Sequence, residues 1–304
     1  MSSTARHDAD VIVVGGGHNG LICGAYLARA GIDTLVVDAR SELGGVAATV
    51  TDLDARFNVC NCDHLMVRAM PIADELDLAS HGLHYLEPEI ASINRFHDGA
   101  DPWLFFHDVE RHLEAFARAR PKQVEPYRRY LEDALPVAEL ALDIARTPPS
   151  VRGILGAAAS RRSRGLLRLL RWSRASIDDV LAEYFDDWHV TMPAISTGPT
   201  VWGVHPATPG TGLAAMTFAM RHLVPSGRPV GGSGALTAAV RASFEAAGGR
   251  VLTDRYVERL LLDDGAVAGV ACTGGGVLRA PRVVAACDPR RVLVDWLDGD
   301  VPPA

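Results

Sequence analysis

The sequence predicts an α/β protein built on a Rossmann-type nucleotide-binding fold, with a largely helical region inserted into it. The first observation is a run of four aliphatic β-branched residues, Val11 to Val14, which is typical of a parallel strand buried on both faces. The second is a glycine-rich turn directly after this run, and the third is an apolar strand that ends at Asp38. Together they predict a βαβ unit that binds a dinucleotide.

The glycines of the turn have the spacing G-x-G-x-x-G, with Gly15, Gly17 and Gly20 at the three positions. Gly15 permits a tight turn, Gly17 allows a pyrophosphate to approach the backbone, and Gly20 allows the next helix, predicted over 21–30, to pack closely. The pyrophosphate is expected at the N-terminus of that helix, where free N–H groups and the helix dipole favour an anion. Asp38, at the end of the strand predicted over 34–37, is expected to accept hydrogen bonds from ribose hydroxyls.

The composition indicates an ordinary globular protein and excludes several function classes. The chain has 304 residues, enough for one large or two ordinary domains, and its net charge of −7 gives no reason to expect a nucleic-acid partner. No apolar run is long enough to span a bilayer, and the polar N-terminus has no signal-peptide core, so a cytoplasmic location is expected. The five cysteines are scattered, and Cys60, Cys62 and His64 lack a second ligand pair, so no metal site is predicted.

Two further glycines, Gly44 and Gly45, follow Asp38 closely and suit a loop that folds back over the same nucleotide. With them, the run from Gly15 resembles the flavin-binding signature of glutathione-reductase-type flavoproteins. More narrowly, it is similar to the phytoene-desaturase-like branch, which includes pyridine nucleotide-disulfide oxidoreductase domain-containing protein 2, because the loop reads Gly-Gly-Gly-His-Asn-Gly-Leu. The resemblance implies FAD, with Asp38 on the adenosine ribose. It also implies these cofactor-binding residues in the N-terminal segment: Gly15, Gly17, His18, Asn19, Gly20, Asp38, Ala39, Arg40, Gly44 and Gly45.

The middle of the chain, 56–228, is expected to form a substrate or cap region that is mostly helical. Its periodicity and capping signals predict a short helix over 71–78, a strand over 103–106, and helices over 109–119, 124–145 and 176–185. Several histidines lie here, but a histidine without a visible partner is usually structural, so none receives a catalytic role. The histidines concerned are His64, His81, His84, His97 and His107.

A basic stretch, 151–175, is open to two interpretations. It contains no acidic residue, and leucines and one tryptophan are interleaved with seven arginines: Arg152, Arg161, Arg162, Arg164, Arg168, Arg171 and Arg174. Such a stretch can dock on an anionic membrane surface, which would make the protein peripheral to the membrane. It can equally be a solvated helix face whose leucines pack inward, and this second interpretation is favoured.

The residues between 193 and 232 are rich in glycine, proline and threonine, and end at Gly231-Gly232. In the resembled family a Gly-Gly segment of this kind opens a helix beside the flavin and the substrate tunnel. A plain loop-to-helix connection explains the two glycines equally well. The apolar character of the stretch, together with the resemblance, favours a hydrophobic, carotenoid-like substrate.

The last part, 229–304, is expected to return to the nucleotide-binding domain that begins with 1–55. The sequence predicts a helix over 236–247, strands over 250–253 and 283–289, and a hairpin turned at Asp263-Asp264-Gly265. By the resemblance, the backbone of Val257 meets the adenine. Family members continue well beyond residue 304, so the expectation is a fragment, a split enzyme or a site completed by a partner chain.

The expected reaction follows from the motifs that the sequence lacks. No second G-x-G-x-x-G unit follows residue 50, and no Cys-x-x-Cys or Cys-x-x-x-x-Cys pair is present, so a disulfide-reductase reaction is not expected. What remains is an oxidoreductase in which a substrate C–H or C–N bond gives hydride to the flavin. Such chemistry needs no ionisable catalytic residue, and none is assigned. The alternatives are a flavin amine oxidase and a truncated, non-catalytic FAD-binding fragment.

Overall fold

The computed structural model of the protein describes residues 7–60, 62–147, 150–160 and 165–297. In chain order the strands are β1 Val11–Val14, β2 Thr34–Val37, β3 Thr49–Asp52, β4 Ala55–Asn58, β5 Tyr85–Leu86, β6 Ile90–Asn94, β7 Trp103–Phe106, β8 Arg228–Pro229, β9 Arg250–Leu252, β10 Val257–Asp263, β11 Ala266–Cys272, β12 Gly276–Arg279 and β13 Val283–Ala285. The α-helices are α1 His18–Arg29, α2 Leu65–Ala69, α3 Ile72–Glu75, α4 Val109–Ala119, α5 Val124–Arg146, α6 Val151–Ser160, α7 Leu166–Trp172, α8 Ile177–Ala182, α9 Trp188–Ser196, α10 Thr217–Leu223 and α11 Gly234–Ala246.

The chain divides into two compact units. The first unit holds the described residues of 1–67, 71–86 and 228–304, and the second holds those of 68–70 and 87–227. The β3–β4 hairpin, β5 and β8 all belong to the first unit.

A four-stranded parallel sheet forms the centre of the first unit, with the strand order β13-β1-β2-β9. β1 pairs with β2 from Val11 opposite Thr34 to Val14 opposite Val37, and β13 and β9 extend the sheet at either side. Parallel neighbours need a crossover, and α1 provides it between β1 and β2. This confirms the predicted α/β class and the βαβ unit at the start of the chain.

Both faces of this sheet are covered, as the uninterrupted apolar strands predict. Val11, Val13 and Val36 pack in one core cluster with residues of α1 and α11. The alternate residues Ile12 and Val14 lie in a second cluster with Leu35, Val37 and residues of β10 and β11. The alternation follows from the two-residue period of a strand.

The remaining strands of the first unit form smaller antiparallel sheets. β10, β11 and β12 form a three-stranded sheet, and the β10–β11 turn lies at the predicted Asp264-Gly265, where both residues have positive φ. β3 and β4 form a hairpin that was not predicted, and all but its first residue are exposed. An isolated two-stranded hairpin is marginal in water, so contacts outside the pair must hold it.

The second unit contains helices α4 to α10 and the β6–β7 pair. Strand β7 and helices α4, α5 and α8 lie where the sequence predicts them, whereas β6 was not predicted. Its centre is an aromatic cluster that includes Trp103, Phe105, Phe116 and Tyr127, all fully buried or nearly so. His112 is buried in the same cluster, and burial lowers its pKa to about 3, so it is neutral. The capping box of α8 is present as predicted, with Ser176 Oγ accepting from the backbone of Asp179.

Four predicted elements differ from the structure by three residues or more at one end. α1 begins at His18 instead of residue 21, because the Leu21 amide already donates to the Gly17 carbonyl and Gly20 lies inside the helix. α8 ends at Ala182, where the next turn tightens and Tyr184 donates to Leu181. The helix predicted over 71–78 is only Ile72–Glu75, and the strand predicted over 283–289 stops at Ala285.

The basic stretch is described only in part, since Arg161, Arg162 and Arg164 lie outside the described residues. Arg168 and Arg171 are paired with Asp133 and Glu183. Trp172 is buried as expected for inward packing, but the exposed fractions of Leu167 and Leu170 are 82% and 46%. Among the helices of the described residues, none has the length and apolarity needed to cross a membrane.

Candidate functional site

The glycine-rich turn between β1 and α1 is packed so closely that two of its glycines cannot be replaced without displacing backbone. Gly15 has φ +108°, and a Cβ added there would lie 2.6 Å from the carbonyl oxygen of Ala286. A Cβ on Gly20 would lie 1.9 Å from the carbonyl oxygen of Gly15. Gly17 differs, because its added Cβ would meet only the Cα of Gly45, at the ordinary contact distance of 3.7 Å.

The second glycine pair returns directly onto this turn. The Gly44 amide donates to the Gly16 carbonyl at 2.9 Å, and Gly17 and Gly44 form an isolated parallel bridge. Gly44 and Gly45 have φ of +129° and +58°, values that L side chains rarely adopt. The two glycine segments therefore form one surface beside the start of α1, as expected for a loop that folds back over a nucleotide.

Asp38 lies at the end of β2, and its carboxylate accepts hydrogen bonds from the glycine turn and from the segment that leads to Gly44. Its Oδ2 accepts from the Gly16 amide at 2.6 Å, and its Oδ1 accepts from the Arg40 amide at 2.8 Å. The carboxylate thus orients the glycine turn and the segment that leads to Gly44. Each carboxylate oxygen can accept a further bond, so the two backbone contacts leave capacity for a ligand hydroxyl.

These loops surround a cavity of about 440 Å³ at the carboxyl ends of the parallel strands. Such an edge is where ligands bind in open α/β sheets. Most of the predicted cofactor-binding residues line the cavity, namely Gly15, Gly17, His18, Asn19, Asp38, Ala39, Arg40, Gly45 and Val257. Gly20 and Gly44 do not line it, because Gly20 packs beneath the turn and Gly44 bonds to Gly16.

Several lining residues were not predicted. Arg255 and Tyr256 precede β10, while Cys287 and Asp288 follow β13, and Arg291 lies over the Tyr256 ring with 5.5 Å between its Cζ and the ring centroid. The rule that ligands bind beyond the carboxyl ends of parallel strands would have found Cys287 and Asp288. No sequence signal identifies Arg255 or Tyr256, since they reach the cavity through the placement of the antiparallel sheet.

The start of α1 suits an anion. Gly17 is the N-cap, no side chain of the described residues caps it, and the first turn contains no acid. Partial burial lowers the pKa of His18, so this residue tends to be neutral beside the helix N-terminus. The available backbone N–H groups and the helix dipole therefore supply the main attraction for a phosphate here.

The start of α11 is different, because its first backbone amides already donate hydrogen bonds to side chains of the protein. The Ser233 amide donates to Asn58 Oδ1 at 2.9 Å, and the Gly234 amide donates to Thr49 Oγ1 at 2.9 Å. A Cβ on Gly232 would lie 2.4 Å from Thr49 Oγ1. The second glycine of Gly231-Gly232 is thus explained by the close approach of the β3–β4 hairpin, which favours the loop-to-helix interpretation.

His64 is buried between these elements and joins them. Its Nδ1 lies 3.1 Å from the Tyr85 hydroxyl, and its Nε2 lies 3.3 Å from Ser233 Oγ. Burial lowers the pKa of His64, and nearby His18 lowers it further against the opposing charge of Asp63. A neutral, doubly engaged histidine is a structural link, which agrees with the absence of a predicted catalytic role.

Comparison with known proteins supports this description. The family model described as an NAD(P)-binding Rossmann-like domain matches residues 13–71. A limonene dehydrogenase subunit from Castellaniella defragrans is 28% identical over 291 residues, which cover 92% of this chain and 52% of that protein. Pyridine nucleotide-disulfide oxidoreductase domain-containing protein 2 of Rattus norvegicus is 27% identical over 330 residues, covering 97% of this chain and 56% of that protein. These matches confirm the resemblance to pyridine nucleotide-disulfide oxidoreductase domain-containing protein 2 that the glycine signature indicates.

Solved structures share the fold at low identity. Wild-type putrescine oxidase bound to putrescine has a TM-score of 0.59 at 18% identity, covering 93% of this chain and 60% of its own. An oxidoreductase from Methanosarcina mazei has a TM-score of 0.56 at 15% identity, covering 90% and 58%. A Rab GDI from Plasmodium falciparum has a TM-score of 0.53 at 12% identity, covering 92% and 65%. The chain spans about half the length of the curated relatives it matches.

Proposed function

We propose that this chain is the FAD-binding part of an oxidoreductase in which a hydrophobic substrate gives hydride to the flavin. The observation that carries the proposal is the contact of the two glycine segments, Gly15–Gly17 and Gly44-Gly45, beside Asp38 and an uncapped helix N-terminus. A nicotinamide-binding Rossmann unit requires the first segment and the carboxylate, but not the second glycine pair. The second pair therefore favours FAD over NAD(P).

The residues of the cavity fit such a cofactor. The missing Cβ of Gly17 leaves room for a pyrophosphate at the start of α1, and the backbone of Gly45 would contact it from the returning loop. Asp38 would bind the adenosine ribose, and the backbone of Val257 would meet the adenine. The predicted set of Gly15, Gly17, His18, Asn19, Gly20, Asp38, Ala39, Arg40, Gly44, Gly45 and Val257 thus stands as the proposed site, with Gly20 and Gly44 shaping it from behind.

When bound, FAD supplies the capacity to accept hydride, and the protein supplies binding, orientation and exclusion of water. In this chain Asp38 orients the glycine turn through the Gly16 amide, and His64 links the segment before α2 to the start of α11. No described residue has to hold or move a proton for these tasks. We therefore assign no catalytic residue.

The class of substrate is supported by the relatives. The limonene dehydrogenase relative is named for a hydrocarbon, which agrees with a hydrophobic, carotenoid-like or terpene-like substrate. The alternative is a flavin amine oxidase, which the fold shared with putrescine oxidase keeps open. A fold alone does not choose between them, because one fold serves many reactions.

A partner chain is part of the proposal. The relatives are nearly twice as long as the region they share with this chain, and one of them is named as a subunit. We propose that a second polypeptide, or further sequence joined to this one, completes the substrate side of the site. A non-catalytic FAD-binding module is the remaining alternative.

Contact with an anionic membrane through the described part of 151–175 is also proposed. The outward position of Leu167 and Leu170 on α7 supports it, since an apolar edge flanked by arginines suits a lipid surface. The ion pairs of Arg168 and Arg171 oppose it, because they already neutralise part of the positive charge.

The reaction class is tested by mixing the FAD-loaded protein anaerobically with substrates of different chemistry and following the flavin absorbance. Bleaching by a polyene or a cyclic terpene hydrocarbon, but not by a diamine, is the expected result. Bleaching by the diamine alone would favour the amine oxidase alternative. Bound FAD that no candidate bleaches, even after the polypeptide proposed to complete the site is added, would favour the non-catalytic module.

A further inference from the structure

The second unit contains an open cavity of about 350 Å³ that has no part in the proposed flavin site. One wall is the end of β6 and the residues that follow it, and the other is one side of α9. Small-molecule sites commonly begin at about this size. The lining residues that matter here are Asn94, Arg95, Phe96, His97, Trp188 and Met192.

Trp188 presents a flat surface to this cavity. The ring of His189 stacks on the indole, with 4.0 Å between centroids and 27° between planes, so one indole face is covered. Trp188 nevertheless keeps 41% of its surface exposed. Phe96 meets the indole edge-on at 5.6 Å, and His97 lies tilted at 5.6 Å. An aromatic ring placed in the cavity would therefore find the free indole face and two flanking rings.

The two walls are tied together directly behind this surface. His189 Nδ1 lies 2.6 Å from Asp187 Oδ1, next to Trp188 in the chain, and His189 Nε2 lies 2.8 Å from Asp98 Oδ2, next to His97. Arg120 adds a contact to Asp187, at 3.5 Å, and its Cζ lies 5.4 Å from the centroid of the Phe96 ring. These bonds fix the two walls relative to each other without a ligand, so the cavity is pre-formed.

The lining carries a cationic side chain. Arg95 is exposed, and no described lining residue of this cavity is acidic. The amide nitrogen of Asn94 is shielded from solvent, so a ligand oxygen in the cavity cannot reach it. We therefore assign a ligand carboxylate to the guanidinium of Arg95.

We propose that this cavity binds a small flat aromatic carboxylate, with its ring on the free face of Trp188 and its carboxylate on Arg95. The inference stands on the second unit alone and does not depend on the proposed flavin chemistry. It names a ligand class that differs from the hydrophobic hydride donor, and thus a second binding site on the same chain.

Isothermal titration of the full chain with naphthoate tests the proposal, with naphthalene methanol as the neutral ring of matched size. We expect one naphthoate per chain and clearly weaker binding of the alcohol. Trp188→Leu should weaken naphthoate binding about fivefold or more, because the stacking surface is lost. Arg95→Gln should weaken naphthoate and leave the alcohol unchanged. Trp188→Phe should restore most of the affinity that Trp188→Leu loses.

The matched control is Trp202→Leu, since Trp202 lies in the same unit with an exposed fraction of 82% and does not line the cavity. This variant should bind naphthoate like the wild type. Equal affinities in Trp188→Leu and Trp202→Leu would contradict the proposal, as would a failure of the wild type to bind naphthoate. Equal binding of the alcohol and the acid would contradict the assigned role of Arg95.

Discussion

Gly17 and Gly45 touch across the two glycine loops, and a Cβ added to Gly45 would lie 3.1 Å from the Cα of Gly17. The two residues are far apart in the sequence, yet the bridge between Gly17 and Gly44 holds their segments side by side. This contact produces one backbone surface at the start of α1, where a pyrophosphate can approach from the cavity.

Gly17→Ala should separate folding from cofactor binding. The new methyl group meets only an ordinary contact at 3.7 Å, so we expect the melting temperature of the flavin-free protein to stay close to that of the wild type. The same methyl group occupies the proposed pyrophosphate position, so FAD content after purification should fall to near zero. Thermal unfolding and the flavin absorbance per chain check the two expectations.

Two further glycine variants serve as controls for Gly17→Ala. Gly20→Ala places its Cβ 1.9 Å from a backbone oxygen and should destabilise the protein itself. Gly31→Ala forces an alanine into positive φ, but its added Cβ would have no atom within 4 Å. This variant should keep its FAD. Normal FAD content in Gly17→Ala would show that the pyrophosphate does not bind at this glycine.

Asp38→Ala should weaken FAD retention through two effects. It removes the proposed ribose acceptor, and it releases the Gly16 and Arg40 amides that the carboxylate orients. We expect the FAD dissociation constant to rise about tenfold or more, as is usual for the loss of a charge-assisted hydrogen bond. Asp38→Asn keeps one acceptor oxygen and should show an intermediate constant.

Asp33→Ala is the matched control for Asp38, because Asp33 lies just before the same strand and its carboxylate pairs with Arg250 at the surface. A surface pair contributes little, so FAD binding should be unaffected. If Asp33→Ala and Asp38→Ala lower FAD retention equally, the proposal that Asp38 binds the ribose is wrong.

The link from His189 to Asp98 and Asp187 should make the second unit more stable in mild acid. Partial burial lowers the pKa of His189, but its hydrogen bonds and charge interactions with Asp187 and Asp98 outweigh burial and raise it. His97, whose ring lies against Trp188, and Arg120, which contacts Asp187, are the other titratable side chains packed near this cluster. Because the pKa is raised in the folded state, the stabilisation is complete below the ordinary value of 6.5 and is lost as the pH rises through the raised value.

The measurement is the urea midpoint of the wild type and of His189→Gln across this range of pH. The difference between the two proteins should be largest in mild acid and should shrink as the pH rises. His84→Gln, at an exposed histidine of the first unit, should show no such pattern. A difference that grows with rising pH would contradict the assigned charge of His189.

Membrane contact through α7 predicts that the protein sediments with anionic liposomes at low salt and that Leu167→Glu reduces the bound fraction. The substitution places a charge on the exposed apolar edge, where it would face the lipid. Leu53→Glu is the control, because Leu53 is as exposed but belongs to the β3–β4 turn. Absence of the wild type from the liposome pellet would contradict membrane contact.

The predictable part of the fold is the part governed by local pattern. The strands Val11–Val14, Thr34–Val37 and Trp103–Phe106 have the bounds that the sequence predicts, because uninterrupted apolar runs fit buried strands. The hairpin β3–β4 was not predicted, since it is almost wholly exposed and contains no apolar run. Its Thr49 and Asn58 are held by distant contacts to the start of α11, which no local rule reveals.

The site was predictable where chemistry constrains residue type, as at the glycines and Asp38. Arg255 and Tyr256 were not, because their position depends on how the antiparallel sheet packs against the parallel one. The aromatic cavity of the second unit was not predictable for the same reason. Phe96 and Trp188 are distant in the sequence and meet only through the fold of that unit.

Titration of flavin-free protein with FAD, and in parallel with NAD⁺, tests the central claim most directly. The interlocked glycine loops, Asp38 and the cavity beyond β1 predict saturation at one FAD per chain, with NAD⁺ bound far more weakly or not at all. ADP should compete with FAD, since both would place a ribose on Asp38. Failure of the protein to bind FAD, or tighter binding of NAD⁺ than of FAD, would contradict the proposed FAD site.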